Sequence, residues 1–134
     1  MYGTELFQDF ALPIARRDEV RALIGERAEY LVYVNCAMLR DTFDAIQQQV
    51  DEPYMIKDRL TGEDIEMNKR DFDDLVTMHL CDWLEQVARW GNWDYRRDAF
   101  ERMARRLGGI AEQRWDEVFS EAPAPAPASQ GERA

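Results

Sequence analysis

The sequence predicts a mainly α-helical domain interrupted by one short β-hairpin. Apolar residues recur at three- and four-residue steps along most of the chain, as they do in helices that bury one face. One segment, residues 54–67, breaks that rhythm: in YMIKDRLTGEDIEM, Ile56 and Ile65 flank a Thr61-Gly62 turn in the manner of a small hairpin. A length of 134 residues, 46% hydrophobic and 33% charged, fits one small folded domain and is short for two ordinary ones.

Taken in order, Asp18 is placed to cap a short helix carrying Val20, Leu23 and Ile24, which Gly25 breaks or bends. A longer apolar series follows in Leu31, Val32, Cys36, Leu39, Phe43 and Ile46, and Pro53 marks its end. After the hairpin comes the strongest helix, with Phe72, Leu75, Val76, Leu80, Trp83, Leu84 and Val87 on one stripe. Gly91-Asn92 ends it, and Asn92 or Asp94 starts another helix that buries Ala99, Phe100, Met103 and Leu107. Gly108-Gly109 punctuates, and a last short helix uses Ile110, Trp115, Val118 and Phe119. Residues 1–120 therefore form the helical domain, and residues 121–134, EAPAPAPASQGERA, form an Ala/Pro-rich tail that is expected to be disordered.

Charge narrows the function classes. Seventeen basic against 27 acidic residues give a net charge of −10, a field that repels phosphate backbones and anionic lipid, so neither nucleic acid nor a membrane is an expected partner. The distribution is uneven: residues 41–74 hold eleven acids and four bases, whereas residues 89–114 hold seven Arg and four acids. The N-terminus has neither a basic leader nor an apolar core segment, and two cysteines cannot make a disulfide framework, so the expected compartment is the cytoplasm.

Few residues carry recognisable chemistry. The chain has no Gly-rich phosphate loop, no HExxH and no Gly-x-Ser-x-Gly elbow, and one histidine with two cysteines is too few for a zinc site. The acidic stretch at Asp58 lacks the alternating ligands and the sixth-position Gly of an EF-hand, so it reads as a solvated hairpin loop. Cys36 and Cys81 read as structural, because Cys81 is two residues from His79 and points to another side of the helix. Trp83, Trp90, Trp93 and Trp115 read as packing residues rather than a stacking platform. What is left is a line of polar groups, His79, Asp82 and Glu85, at three-residue steps on the strongest helix. His79 falls within the apolar stripe, and Asp82 lies on its flank, about 110° from the centre at about 100° per residue. This pattern suits either a core histidine satisfied by a carboxylate, or a metal-binding Asp82 supported by His79 and Glu85.

Two stretches together resemble HD-domain hydrolases of the ppGpp-hydrolase type. Arg21-Ala-Leu-Ile-Gly-Glu-Arg-Ala-Glu-Tyr-Leu-Val is similar to a segment in which a short helix ends in Gly and the next begins near a Leu-Val pair. Asp74-Leu-Val-Thr-Met-His-Leu-Cys-Asp-Trp-Leu resembles the late helix that presents the last metal-binding Asp, a position matched by Asp82. The likeness is closer to an uncharacterised HD-like family having, in order, Tyr2-Gly3-Thr4, the helix at residues 24–28, and Cys81-Asp82-Trp83-Leu84-Glu85-Gln86. It spans roughly residues 2–110 and implies an all-α HD-like fold and, in active relatives, divalent-metal hydrolysis of a phosphate ester.

The resemblance also implies what is missing. The first His and the His-Asp pair of the superfamily lie on helices before the Tyr-Gly-Thr turn, where this chain starts, and Gly3-Thr4 occupies the approximate place of the Glu-Asp pair. The catalytic residues are therefore unknown, and the chain is expected to be non-catalytic as it stands, with no cofactor. A divalent metal at Asp82 belongs to a full-length form. Met1 sits where the family tends to have Val or Ile, so an internal GTG codon is the expected origin of the start. Without the N-terminal helices, apolar surface is expected on the helices at 31–46 and 72–87, which would favour a homo-oligomer or a protein partner.

Overall fold

A computed structural model describes Tyr2 and residues 12–124; Gly3 and Thr4 of the Tyr-Gly-Thr turn, and residues 125–134 of the tail, lie outside the described residues. The architecture is mainly helical, with one antiparallel two-stranded hairpin among the described residues. The chain divides into two compact units, Met1–Leu75 and Val76–Ala134.

In the first unit a short turn of 3-10 helix, Ile14–Arg16, leads into α1, Arg17–Ile24. Asp18 does not cap it: Arg16 occupies the cap position, and Asp18 sits in the first turn, accepting a 2.8 Å bond from Arg21 Nη1. There it complements the positive end of the helix without closing a backbone amide. Gly25 separates α1 from α2, Glu26–Ala37, at φ 92, a conformation that any Cβ would strain.

The apolar series at 31–46 is two helices rather than one. α2 stops at Ala37, Met38 turns extended (φ −65, ψ 143), and α3 runs Arg40–Asp44. The hairpin explains the break. Strands β1, Tyr54–Lys57, and β2, Asp64–Met67, pair antiparallel with Ile56 opposite Ile65. The backbone at Met38 then pairs with the end of β1: Leu39 N–H donates to Lys57 O at 2.7 Å, and Arg59 N–H donates to Ala37 O at 2.7 Å. Backbone groups that would have continued the helix are satisfied across the hairpin instead. Phe43, Tyr54 and Phe72 fill the core beneath, with Tyr54 stacked on Phe72 at 4.4 Å and Phe43 tilted against it at 5.6 Å.

Helix α4, Lys69–Trp90, opens with Asn68 Oδ1 accepting the Asp71 N–H at 2.8 Å and ends where Gly91 N–H donates to Val87 O at 2.9 Å. In the second unit α5, Arg97–Leu107, and α6, Gly109–Phe119, form a helical hairpin across Gly108 and Gly109, both at positive φ. Arg105 ties the two helices together by ion pairs to Glu112 at 3.0 Å and Asp116 at 3.1 Å. The buried face of α5 is Ala99, Phe100, Met103 and Ala104, with Leu107 half-buried. Trp115 is buried and stacks on Phe119 at 3.7 Å, and Trp93 meets that ring edge-on at 5.3 Å.

Three expectations about exposure are corrected. The faces at 31–46 and 72–87 are not open, because Leu31, Val34, Cys36, Phe43, Phe72, Leu75, Val76, Leu80 and Val87 are all buried within the chain. Leu39 (38%) stands exposed between α2 and α3, and further exposed apolar side chains are Leu23 (83%) and Ile24 (47%) at the end of α1, Trp90 (71%) at the end of α4, and Ile110 (77%), which was expected to pack. Finally, the hairpin loop is not simply a solvated acidic turn, since Asp58 is buried. No described helix is long and apolar enough to cross a membrane.

Candidate functional site

The polar line on α4 resolves into three separate engagements. Glu85 is exposed and forms a two-pronged pair with Arg89 one turn on, and hydrogen bonding from that guanidinium holds its carboxyl below the usual range. Asp82 is exposed on the flank, as its place on the wheel requires, and its Oδ1 accepts a 2.8 Å bond from Gln86 Nε2. His79 is buried and faces a different partner: its Nε2 lies 2.9 Å from Arg96 Nη1. A guanidinium has donors only, so Nε2 accepts and the imidazole carries its proton on Nδ1. Among the described residues no group of three or more His, Cys, Asp or Glu side chains is arranged to hold a metal ion.

What surrounds His79 is aromatic. Phe100 stacks against the imidazole at 5.5 Å and against Trp83 at 5.5 Å, and Tyr95 meets Trp83 edge-on at 5.4 Å. His79 and Trp83 are one helical turn apart on α4, which is why one ring from α5 can meet both. Arg96 lies over Phe100, its Cζ 4.7 Å from the ring centroid, while bonding to the histidine. The indole Nε1 of Trp83 is buried without a hydrogen-bond acceptor among the described residues.

Arg96 reaches this place from a left-handed backbone (φ 46, ψ 31) at the N-cap of α5. A non-glycine residue there costs about 1–2 kcal/mol. Arg96→Ala keeps that cost and leaves a buried acceptor on His79, whereas Arg96→Gly loses the same bond but relieves the backbone. In urea denaturation the Gly variant is therefore expected to exceed the Ala variant by about 1 kcal/mol; equal stability would show that the conformation is unstrained.

A second cluster, in the first unit, was not legible as a site. Glu29 of α2 is 1% exposed, yet its carboxylate is fully engaged. Arg17 bonds it two-pronged, Nε to Oε2 at 2.7 Å and Nη2 to Oε1 at 2.8 Å. Tyr2 Oη donates to Oε2 at 2.6 Å, and Arg21 Nη2 reaches Oε1 at 3.4 Å. Hydrogen bonding from Arg17, outweighing the cost of burial and aided by Tyr2, pulls the Glu29 carboxyl down to about 2. Burial, followed by the bond to Glu29, pushes the Tyr2 phenol up to about 12.

The chain of contacts continues. The Arg17 guanidinium lies 3.8 Å over the Tyr33 ring, and Tyr33 Oη donates to Asp58 Oδ2 at 2.7 Å. Burial and that bond push the Tyr33 phenol up to about 12. The other Asp58 oxygen accepts the backbone N–H groups of Leu60 at 2.8 Å and Thr61 at 3.1 Å, fixing the hairpin loop. Chemically these are spent groups. The Glu29 carboxylate, with donors on both oxygens and its carboxyl pulled down to about 2, has neither the basicity nor the open oxygen that proton transfer or metal binding needs, and Asp58 is engaged by the Tyr33 hydroxyl and two backbone amides. One signal in the sequence points to Glu29: it stands seven residues before Cys36, hence on the buried face of α2.

Compared with known proteins, residues 1–40 match a family model described as a domain of unknown function (DUF6817). The match takes in Tyr2, Arg17, Arg21, Glu29 and Tyr33 and stops before the hairpin and α4; it is to an uncharacterised family and shows no relationship to HD-domain hydrolases. No curated protein and no solved structure matches the chain.

Proposed function

We propose that this chain is a non-catalytic helical domain of HD-like type, in which carboxylate, phenol and imidazole groups serve the architecture rather than a reaction. The observation that supports this reading best is the commitment of His79. Its Nε2 lone pair receives a guanidinium N–H at 2.9 Å while Phe100 covers the ring, so it is not offered to a cation or to a water. Glu29 and Asp58 support it in the same way, each closed by donors from its own unit. The competing enzyme reading has Asp82 as a metal ligand with His79 and Glu85 as supporting groups, and it needs further ligands from a longer polypeptide.

The test is hydrolysis of a generic phosphate ester in the presence of manganese or magnesium. The chain is expected to give no turnover above background, and Asp82→Asn no change. Turnover abolished by Asp82→Asn would replace this reading with the phosphohydrolase one.

A second reading, self-association, is favoured by one feature. Helix α1 has no buried residue, and Leu23 and Ile24 stand exposed side by side at its end. A second copy is the occupant we assign to that face. The net charge of −10 opposes pairing at low salt, so association should strengthen as salt screens it. Light scattering coupled to size exclusion should then show a concentration-dependent dimer that Leu23→Ser with Ile24→Ser abolishes, and a monomer at every concentration and salt would exclude it.

A further inference from the structure

The geometry points to Arg17 as a relay that couples the docking of Tyr2 to the order of the hairpin loop at 58–63. The inference goes beyond the function proposed above and does not depend on it. Its basis is an unbroken series of directional contacts within the first unit. Tyr2 Oη and Arg17 Nε share one oxygen, Oε2 of Glu29, at 2.6 and 2.7 Å. Where that oxygen sits therefore sets where the guanidinium sits. The guanidinium plane in turn rests on Tyr33 at 3.8 Å, close enough that a shift of either moves the other. The Tyr33 hydroxyl holds Asp58 Oδ2 at 2.7 Å, and Asp58 Oδ1 holds the amides of Leu60 and Thr61.

Two further observations favour coupling over mere proximity. Glu29 and Asp58 are both buried, so neither carboxylate can replace a lost protein donor with bulk water. In such surroundings a change at one bond is passed to the next rather than absorbed by solvent. The sequence separations are also long, 27 residues from Tyr2 to Glu29 and 25 from Tyr33 to Asp58, so the links are tertiary and not features of one helix. Arg17 touches both halves: it bonds the carboxylate in two places and stacks on the phenol. Lysine could keep the charge but not the planar fork, so Arg17→Lys should break the relay while leaving an ion pair.

The coupling is read by amide hydrogen exchange in Tyr2→Phe, a variant that removes one oxygen and keeps the buried ring. Exchange of the Leu60 and Thr61 amides should rise on the order of tenfold, with the Phe100 amide of α5 unchanged. Arg17→Lys should give the same selective rise. Adding Tyr2→Phe to Tyr33→Phe should add less than the sum of the single effects, because the second break falls on a path already cut. The inference is overturned if Leu60 and Thr61 stay protected in Tyr2→Phe, if the double variant is additive, or if Leu60, Thr61 and Phe100 all accelerate together, which would signify general destabilisation.

Discussion

Glu29→Gln is expected to lower the stability of the chain by about 3–5 kcal/mol, the cost of breaking a buried ion pair by removing one partner. The side chain keeps its size, so packing is not at issue. What changes is that Arg17, bound in two places to the carboxylate, loses its counter-charge, and an amide cannot accept from Arg17 and Tyr2 at once through two oxygens. Urea denaturation at neutral pH measures this, and a loss below about 1 kcal/mol would show that the network contributes little. Replacing Glu29 and an Arg17 apolar counterpart together should recover part of the loss, since no charge is then stranded.

The same carboxylate dictates an acid signature. Its folded value of about 2 lies below the ordinary 4.5, so its contribution is fully present above pH 4.5 and is lost as pH falls from there toward 2. At about 1.4 kcal/mol per unit the whole contribution is on the order of 3 kcal/mol. The Gln variant should lack this part of the acid transition; an identical pH profile in both chains would assign it to other groups.

Phe100→Ala is expected to cost about 3–5 kcal/mol, the range for removing a large aromatic from a packed core. Phe100 is nearly fully buried and is the ring on which His79, Trp83 and Arg96 all rest. Its loss should also be visible locally: near-ultraviolet circular dichroism from Trp83 should weaken, because that indole would lose its stacked partner. Phe100→Leu, which restores most of the volume, should recover much of the stability but not the aromatic signal. A Phe100→Ala chain within about 1 kcal/mol of the parent would mean that the α4–α5 packing tolerates a cavity there.

The helices and the hairpin were legible in the sequence because their signals are local. Twenty-two residues of α4 follow one periodicity, and the pairing of Ile56 with Ile65 follows from a turn flanked by alternating residues. The break at Met38 was not legible, because an apolar helical series runs through it and the reason for stopping, backbone bonds to Lys57 and Arg59, lies some twenty residues away. The burial of His79 could be read from its place on the stripe, but its partner could not: Arg96 is 17 residues distant and holds a conformation that sequence rules assign to Gly or Asn. The Glu29 network is the largest omission. Acids in an acidic chain read as solvated, and only the tertiary fold brings Tyr2, Arg17 and Glu29 together.

Manganese titration followed by nuclear magnetic resonance tests most directly whether His79 and Glu85 are spent on internal contacts, leaving Asp82 an ordinary exposed carboxylate. Paramagnetic broadening at Asp82, His79 and Glu85 reports a bound ion at the one place where the sequence could put it. Weak broadening that never saturates and is unchanged in Asp82→Asn, as for any exposed carboxylate, is expected. Saturable one-to-one broadening centred on Asp82 and reaching His79, lost in Asp82→Asn, would contradict it.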